Sequence, residues 1–279
     1  DRIRVHWNRT ADAPVLVIFH GLTGCASSPQ VLGLADKATR LGFTVVRADL
    51  RNASGDTPSV GVGHAGRSED AATVIRHVSA EAAGLPIAAV GYSLGGNVLL
   101  KALGERLEAV AGLRAAVGIS VPIDLDAACH AIDAPRNRVF RNYFVTRLKR
   151  IVAQRADDHP HYRDIPLADV RSIREFDGRL VATLCGFASA EDYYARSSAI
   201  RVMAGIETPT LLIHAHDDPF IPFEPFDRPE VVDTAAIEVL PTRRGGHCGF
   251  WARPSSDPDR FWAEHRAVEF CAARVGLAG

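Results

Sequence analysis

Ser93, in the stretch GYSLGGN at residues 91–97, has the residue type and spacing best suited to covalent chemistry. A serine hydroxyl is a weak nucleophile near neutral pH, so it needs a base that accepts its proton and a third group that orients the base. The same letters also fit a plain tight turn, because glycine and serine are common in turns. The flanking residues favour a reactive serine: an apolar run at 85–92 precedes it, and apolar residues at helical spacing follow over 97–107. A sharp turn between a strand and a helix would hold the hydroxyl above a sheet.

An acid and an imidazole follow Ser93 in the chain order of one large class of serine hydrolases. The acid candidates are Asp217 and Asp218, in HAHDDPFIP at residues 214–222. We favour Asp218 because it stands just before a proline, where the loop can aim a carboxylate inward. Asp217 would then be a solvated or capping neighbour. The base candidate is His247 in RRGGHCGF, where two preceding glycines let the loop carry the imidazole over the serine.

Acyl transfer also needs hydrogen-bond donors for an oxyanion, and backbone amides supply them rigidly. We expect one donor to be the amide of Leu94, directly after the candidate nucleophile. The other is expected to be the amide of Leu22 in HGLTG at residues 20–24. We interpret His20, in the same segment, as a side chain that braces the loop rather than one that transfers a proton.

Alternating strands and helices are needed to bring these residues together. Strands are predicted at residues 15–21, 43–50, 85–92, 113–120, 208–215 and 236–241, and helices at 31–41, from 68 onward, at 97–107 and at 261–276. This alternation predicts an α/β fold with a mostly parallel central sheet flanked by helices. Residues 2–7 alternate polar and apolar side chains, which predicts an antiparallel edge strand.

Residues 122–206 interrupt the alternation, because they show helical periodicity and no convincing strand. We therefore predict a core of residues 1–121 and 207–279, with a helical cap of residues 122–206 inserted over the carboxyl ends of the strands. Ligands bind at those ends in open parallel sheets. Cap aromatic residues that could line an apolar acyl pocket are Phe140, Phe144, Phe187, Tyr193 and Tyr194. Aromatic residues at helical spacing are also common in an ordinary core.

One cap segment, residues 136–155, holds seven basic residues and no acidic residue. The apolar residues predicted to share one face of this helix are Val139, Phe140, Tyr143, Phe144, Leu148, Ile151 and Val152. The helix could make weak contact with a membrane surface or bind anions. Alternatively, it could bury its apolar face and keep its arginines in water.

Composition excludes several classes of function. The 279 residues are 47% hydrophobic and 23% charged, as in a globular domain, and a net charge of -1 gives no general attraction to nucleic acid. No apolar run reaches the ~18 residues of a membrane span, and no signal peptide is recognised, although a segment upstream of Asp1 could be missing. The five cysteines are scattered and form no C-x-x-C pair, which favours a reducing compartment such as the cytoplasm.

Five segments occur in the order HGLTG, GYSLGGNVLLKALGE, GFASAEDYYARSS, TPTLLIHAHDDPFIP and GGHCGF, over residues 15–250. Together they resemble the YheT-like branch of the alpha/beta-hydrolase esterases. The resemblance implies the alpha/beta-hydrolase fold and a carboxylic ester hydrolase in which Ser93, Asp218 and His247 form the charge relay. It also implies that Tyr193 and Tyr194 lie near the acyl pocket. We expect small esters or lipids with short to medium acyl chains as substrates and no metal or organic cofactor, and the oligomeric state is left open.

Two departures from the family pattern concern the substrate and membrane attachment. The loop at residues 51–55 reads RNASG where the family usually carries an R-G-C-x-G turn, but His64 and Gly66 still match the following H-x-G element. The altered loop bears on substrate preference rather than on the three candidate catalytic residues. The usual N-terminal extension is also absent from this sequence, so the sequence does not predict membrane attachment.

Three other functions fit parts of the sequence. HAHDD contains an H-x-H-x-D spacing that occurs in dinuclear metal hydrolases, but Pro219 stands where a further ligand is expected, and GYSLGG would be unexplained. A hydrolase fold can also serve as a binding module, which would usually lack a member of the triad. Acyl transfer to an alcohol or thiol would use the same acyl-enzyme step as hydrolysis.

Overall fold

The strands predicted from the sequence are present and lie in one seven-stranded sheet. The computed structural model describes residues 2–51, 53, 61–157, 159–253 and 257–277. The strands are β1 (Arg4–Asn8), β2 (Val15–Phe19), β3 (Thr44–Asp49), β4 (Ile87–Tyr92), β5 (Leu113–Ile119), β6 (Thr210–Ala215) and β7 (Ile237–Thr242). Their spatial order is β1-β3-β2-β4-β5-β6-β7. As predicted, β1 is an antiparallel edge strand paired with β3, and all other neighbours are parallel.

Helices connect the strands and fill the segment between β5 and β6. They are α1 (Pro29–Arg40), α2 (Ser68–Glu81), α3 (Leu94–Gly104), α4 (Leu125–Asp133), α5 (Arg138–Arg155), α6 (Ile173–Phe176), α7 (Thr183–Cys185), α8 (Ala190–Ser197), α9 (Pro229–Val232) and α10 (Trp262–Val275). A π-helical stretch, Asp177–Ala182, joins α6 to α7. In the described part of the chain, no helix is long and apolar enough to cross a bilayer.

The central strands are buried on both faces. Val17 and Phe19 of β2 belong to the apolar cluster under α2 and α3, whereas Leu16 and Ile18 belong to the cluster under α1 and α10. Because successive side chains of a strand point to opposite faces, a strand covered on both sides reads as an uninterrupted apolar run. The α/β class with a mostly parallel sheet is therefore confirmed. Because these strands are parallel, the loops that follow β2, β4, β6 and β7 lie at one edge of the sheet.

The helices α4 to α8 follow β5 and contribute most of a third apolar cluster, which also contains Val62 and Ala65. Buried members of that cluster include Val145, Leu180 and Tyr193. Within residues 122–157 and 159–206 the structure contains helices and no strand, in agreement with the predicted periodicity. The division of the chain into a core of residues 1–121 and 207–279 and a cap of residues 122–206 stays a prediction.

The helix α5 does not bury its apolar residues along a single face. Val139, Phe140 and Tyr143, in its first half, are exposed, whereas Val152 in its second half is buried. Arg155, near its end, is buried as well. An arrangement with every apolar residue inside and every arginine in water is therefore wrong for this helix. The physical reason is that one side of α5 faces solvent along the whole helix, as the exposed residues Thr146, Arg150 and Gln154 show, and Val139, Phe140 and Tyr143 lie on that side.

Candidate active site

Ser93 forms the sharp turn between β4 and α3. β4 ends at Tyr92 and α3 begins at Leu94, so the helix starts three residues earlier than the sequence predicted. Ser93 has φ of 47° and ψ of -120°, a conformation that is rare for a residue with a side chain. Such strain costs about 1–3 kcal/mol and persists only where the surrounding structure enforces it. The turn therefore holds the Ser93 hydroxyl clear of both flanking elements.

Glycines around Ser93 allow the chain segments to approach closely. A Cβ atom on Gly91 would lie 2.5 Å from the Cα of Gly96. A Cβ atom on Gly95 would lie 2.9 Å from the carbonyl carbon of Phe19, at the end of β2. Such distances are shorter than van der Waals contact, so only glycine fits at these two positions. The sequence motif thus reflects the packing of the turn against the neighbouring strand.

The three candidate catalytic residues, Ser93, His247 and Asp218, are connected by hydrogen bonds. The Nε2 atom of His247 is 3.1 Å from the Oγ of Ser93, and its Nδ1 atom is 2.9 Å from Oδ2 of Asp218. The Asp218 side chain is fully buried, and that of His247 is 18% exposed. The imidazole is therefore placed to exchange a proton with the hydroxyl while a carboxylate fixes its orientation.

Hydrogen bonds keep the Asp218 carboxylate ionised. Burial alone raises the pKa of Asp218, but the His247 ring and the amides of Phe220 and Ile221 outweigh burial and hold the pKa below its usual value. Oδ1 accepts both amide hydrogen bonds, at 2.9 and 3.1 Å. Burial lowers the pKa of His247, but Cys248 and Asp218 outweigh it and raise the pKa above the usual value. The carboxylate thus favours the imidazolium form, which a base must adopt after it accepts a proton.

Asp217 holds the loop that carries the imidazole. Its Oδ1 atom accepts hydrogen bonds from the amides of Gly245 and Gly246, both at 2.8 Å. Asp217 is exposed, and of the two aspartates it is Asp218 that forms the hydrogen bond with the His247 ring. The sequence placed Asp217 as a solvated or capping neighbour. The structure shows that it caps the segment just before His247.

The segment after β2 brings a second backbone amide beside Ser93. A Cβ atom on Gly21 would lie 3.2 Å from the Cβ of Ser93. The amides of Leu22 and Leu94 both lie in residues that line the same cavity as Ser93, and neither has a hydrogen-bond partner among the described residues. Both amides are therefore available to donate a hydrogen bond to a group bound beside Ser93.

The His20 side chain braces this segment, as the sequence suggested. Its Nε2 atom accepts the amide hydrogen of Leu50 at 3.0 Å, and its Nδ1 atom donates to the Gly21 carbonyl at 2.8 Å. Burial lowers the pKa of His20, which favours the neutral ring that can make both contacts. The residue therefore links the end of β3 to the loop beside Ser93.

A cavity of about 620 Å³ opens above Ser93 and His247. Its walls come from the sheet edge and from the helices between β5 and β6. The apolar lining residues include Val98, Ile132, Phe144, Leu148, Ile151, Val181 and Phe220. A largely apolar cavity with a few polar groups is typical of a small-molecule site.

Three of the five aromatic residues predicted for the pocket line this cavity, namely Phe144, Tyr193 and Tyr194. Phe140 does not line it and is 48% exposed. The Tyr193 hydroxyl accepts the Ala65 amide hydrogen at 3.0 Å, so it also fixes the segment near His64. Phe187 is not among the lining residues, and its ring packs against Tyr193 at a centroid distance of 5.2 Å. The structure thus gives Phe187 a supporting position behind the wall rather than a place in it.

Asp177 is a polar lining residue that the sequence did not single out. Its Oδ2 atom accepts a hydrogen bond from the Tyr194 hydroxyl at 2.7 Å. Burial raises the pKa of Asp177 to about 7, although the Tyr194 hydrogen bond opposes the shift. The π-helical stretch that carries Asp177 gave no distinctive sequence pattern, so only the fold reveals that this carboxyl group faces the cavity.

The altered loop after β3 is described only in part. Asn52, Ser54 and Gly55 of the RNASG segment lie outside the described residues. Arg51 lines the cavity and forms an ion pair with Asp70, with Nε 2.8 Å from Oδ2. The loop therefore contributes an arginine, already paired with a carboxylate, to the cavity wall.

His214 and His216, the two histidines with metal-like spacing, are packed against aromatic rings. The His214 ring stacks on Phe226 with centroids 4.3 Å apart, and the His216 ring stacks on Phe223 at 3.8 Å. The Nε2 atom of His214 donates to the Ile221 carbonyl at 3.1 Å. These contacts give both rings a role in supporting the loop that carries Asp218.

Known proteins share this sequence and architecture. The profile of the alpha/beta hydrolase fold family matches residues 14–224. The chain is 37% identical to YheT of Escherichia coli (strain K12), whose name assigns it provisionally to the esterases, over 92% of the chain and 76% of YheT. It is 28% identical to phospholipase ABHD3 of Bos taurus, over 93% of the chain, but it spans only 64% of that protein's length.

A solved structure shows the same fold at low sequence identity. The Pyrococcus furiosus esterase Pf2001 superposes with a TM-score of 0.61 and 16% identity, covering 97% of this chain and 85% of that chain. At such identity the likeness establishes the arrangement of strands and helices. Together with the family profile and the match to YheT, it settles the classification. The chain belongs to the alpha/beta hydrolase fold family, in its YheT-like branch.

Proposed function

We propose that this protein is a serine carboxylic ester hydrolase that works through an acyl-enzyme intermediate. The observation that carries the proposal is the series of hydrogen bonds from Ser93 through His247 to Asp218 at the base of a cavity. A base within reach of a hydroxyl, and itself oriented by a carboxylate, activates serine as a nucleophile. The similarity to proteins named as an esterase and a phospholipase supports an ester as the substrate.

The proposed reaction begins with transfer of the Ser93 hydroxyl proton to Nε2 of His247. As the proton moves, Oγ forms a bond to the ester carbonyl carbon, and the amides of Leu22 and Leu94 stabilise the oxyanion. His247 then gives the proton to the alcohol oxygen as its bond to the acyl carbon breaks. Water, deprotonated by His247, attacks the acyl carbon of the acyl-enzyme. The bond from that carbon to Oγ of Ser93 then breaks as His247 returns the proton to Oγ, which releases the acid and restores the free enzyme. Asp218 stabilises the imidazolium in both halves of the reaction.

The volume and lining of the cavity favour an ester substrate with an apolar acyl group of short to medium length. Its volume of about 620 Å³ lies within the range of small-molecule sites. The side chains of Tyr193 and Tyr194 form part of the wall toward which an acyl chain would extend from Ser93. A panel of esters from acetyl to long acyl chains tests this proposal, and a preference for the longest chains would contradict it.

The catalytic assignment is tested by Ser93→Ala. This variant is expected to lose nearly all turnover of an activated aryl ester and to stay folded, because only the reacting oxygen is removed. Ser28→Ala is the matched control, since Ser28 also lines the cavity but contacts the Cys25 amide rather than the imidazole. Turnover by Ser93→Ala at the wild-type rate would refute the proposal. Competing alcohols in the assay separate hydrolysis from acyl transfer by their products.

We also propose that the protein works in a reducing compartment, the cytoplasm. All five cysteines are free, and two of them, Cys129 and Cys271, are buried. Free buried thiols are stable where the surroundings keep them reduced. Fractionation of the source cells followed by detection of the protein tests this proposal.

A further inference from the structure

The helix α5 exposes large apolar side chains along one face. The exposed fractions are 76% for Val139, 48% for Phe140 and 53% for Tyr143. In the described part of the chain, these three make up nearly half of the exposed large hydrophobic residues, the others being Leu32, Val232, Trp251 and Phe261. Because residues three and four apart share a helix face, the three side chains form one patch. We call this patch with its flanking arginines the outer face of α5.

The flanking charges on the outer face are all positive. Arg147 and Arg150 follow Tyr143 by four and seven residues and lie on the same face, and Arg136 lies two residues before the start of the helix. All three arginines are exposed. Residues 134–156 contain no acidic residue. A helix with aromatic and aliphatic side chains between arginines has the composition of helices that lie in a membrane interface.

The outer face of α5 is directly connected to the proposed catalytic residues. The Phe140 ring packs edge-on against Phe220, with centroids 5.0 Å apart, and Phe220 packs in the same way against His247 at 5.0 Å. Tyr143 and Arg147 themselves line the cavity. A surface that contacts this face would therefore meet the protein at the entrance to the site.

The same helix also contacts the loop expected to supply an oxyanion donor. An Nη atom of Arg147 donates a hydrogen bond to the Thr23 carbonyl at 3.1 Å. Thr23 adjoins Leu22, and its φ of 58° shows that the loop is held in an uncommon conformation. Any partner that binds the outer face thus lies next to both sides of the cavity entrance.

We propose that the outer face of α5 docks on an anionic lipid surface and takes ester substrates from it. The apolar side chains would enter the boundary between headgroups and acyl chains, and the arginines would pair with lipid phosphates. A second copy of this chain fits less well, because identical faces would bring arginine against arginine. This inference rests on the proposed ester hydrolysis for the identity of the substrate, but docking itself can be measured without turnover.

Sedimentation with vesicles tests the docking. The Ser93→Ala variant is mixed with vesicles of phosphatidylcholine alone or of phosphatidylcholine with phosphatidylglycerol, so that no lipid is consumed. We expect binding to the anionic vesicles only, and we expect it to weaken as salt is raised. Equal binding to both vesicle types, or none to either, would overturn the proposal.

Two pairs of variants locate the contact on α5. In the Ser93→Ala background, Arg136→Glu with Arg150→Glu is expected to weaken vesicle binding at least about tenfold. Arg76→Glu with Arg114→Glu changes the net charge equally at exposed arginines elsewhere and is expected to bind as the parent does. Val139→Asp should weaken binding, whereas Val232→Asp, at another exposed helical valine, should not. Equal losses in test and control variants would place the contact elsewhere and contradict the proposal.

Turnover of a soluble aryl ester separates docking from catalysis. Arg136, Val139 and Arg150 do not line the cavity, so with Ser93 intact their variants are expected to hydrolyse the soluble ester at the wild-type rate. Normal hydrolysis without vesicle binding would overturn docking and leave the catalytic proposal in place. Vesicle binding without any hydrolysis would overturn the catalytic proposal and leave docking in place. A dimer that Val139→Asp abolishes would assign the face to a second copy and also overturn docking.

Discussion

Asp218 and Asp217 are adjacent in the sequence, but their carboxylates bind different groups. Asp218 contacts the imidazole, whereas Asp217 accepts two backbone amides of the loop before it. We therefore expect Asp218→Asn to lower kcat/KM by about a thousandfold or more, because an amide does not stabilise the imidazolium. Asp217→Asn should have little effect, since an amide oxygen can accept the same two hydrogen bonds. Asp217→Ala should lower activity about tenfold by releasing the loop.

Steady-state kinetics with one soluble ester compares the three variants. A severe loss in Asp217→Asn together with a mild loss in Asp218→Asn would exchange the two assignments. Loss of activity in Asp217→Ala should come with an unchanged rate of unfolding of the core, because the affected loop lies at the sheet edge.

Asp177 predicts how stability depends on pH. Its pKa is about 7 in the folded protein, against about 3.9 in an unfolded chain. Because the folded state holds the proton more tightly, this group favours folding most at low pH, and its contribution is lost as pH rises from about 4 to 7. Asp177→Asn removes this loss. The free energy of unfolding of the variant, relative to that of wild type, should therefore be about 2–3 kcal/mol higher at pH 8 than at pH 5.

Urea unfolding at the two pH values measures the effect of Asp177→Asn. The control is Asp164→Asn, which alters an exposed aspartate of the same helical region and should show no such pH dependence. A stability difference for Asp177→Asn that is the same at pH 5 and pH 8 would contradict the assignment of Asp177 as a partly buried carboxyl group that holds its proton in the folded state.

The turn that carries Ser93 packs closely against the end of β2. A Cβ atom on Gly95 would collide with the end of β2, 2.9 Å from the Phe19 carbonyl carbon. Gly95→Ala is therefore expected to lower the free energy of unfolding by about 1–3 kcal/mol and to displace the loop that carries Leu22. Gly112→Ala is the control, since a Cβ atom there meets no atom within 4 Å. Equal stability of the two variants would show that the turn is looser than the structure indicates.

Local sequence patterns predicted the elements that are buried on both faces or sit in sharp turns. The β2 and β4 segments read as strands because both of their faces are apolar, and the serine turn carries the glycines that its packing requires. The positions of side chains within the cap were less predictable from the sequence. Phe187 lies behind Tyr193, and Asp177 faces the cavity, because the cap helices pack on one another rather than on the regular sheet. Contacts of this kind depend on helix orientation, which short-range periodicity does not specify.

The whole molecule joins a rigid sheet edge to a wall of helices around one cavity. The sheet edge supplies Ser93, Asp218 and His247, while the helices supply Tyr193, Tyr194 and the outer face of α5. Substrate choice can therefore change through the helices without disturbing the proposed chemistry. On this account, variants in the lining of α5 or α8 should change KM and acyl-chain preference more than kcat for a small ester.

Labelling with a fluorophosphonate tests the central claim most directly, because the reagent reacts only with an activated nucleophile. After digestion, mass spectrometry should find one adduct per chain, on the peptide that contains Ser93. His247→Gln should slow the labelling by about a thousandfold or more, since the hydroxyl then has no base. An adduct on another residue, or equally fast labelling of His247→Gln, would contradict a serine activated by that imidazole.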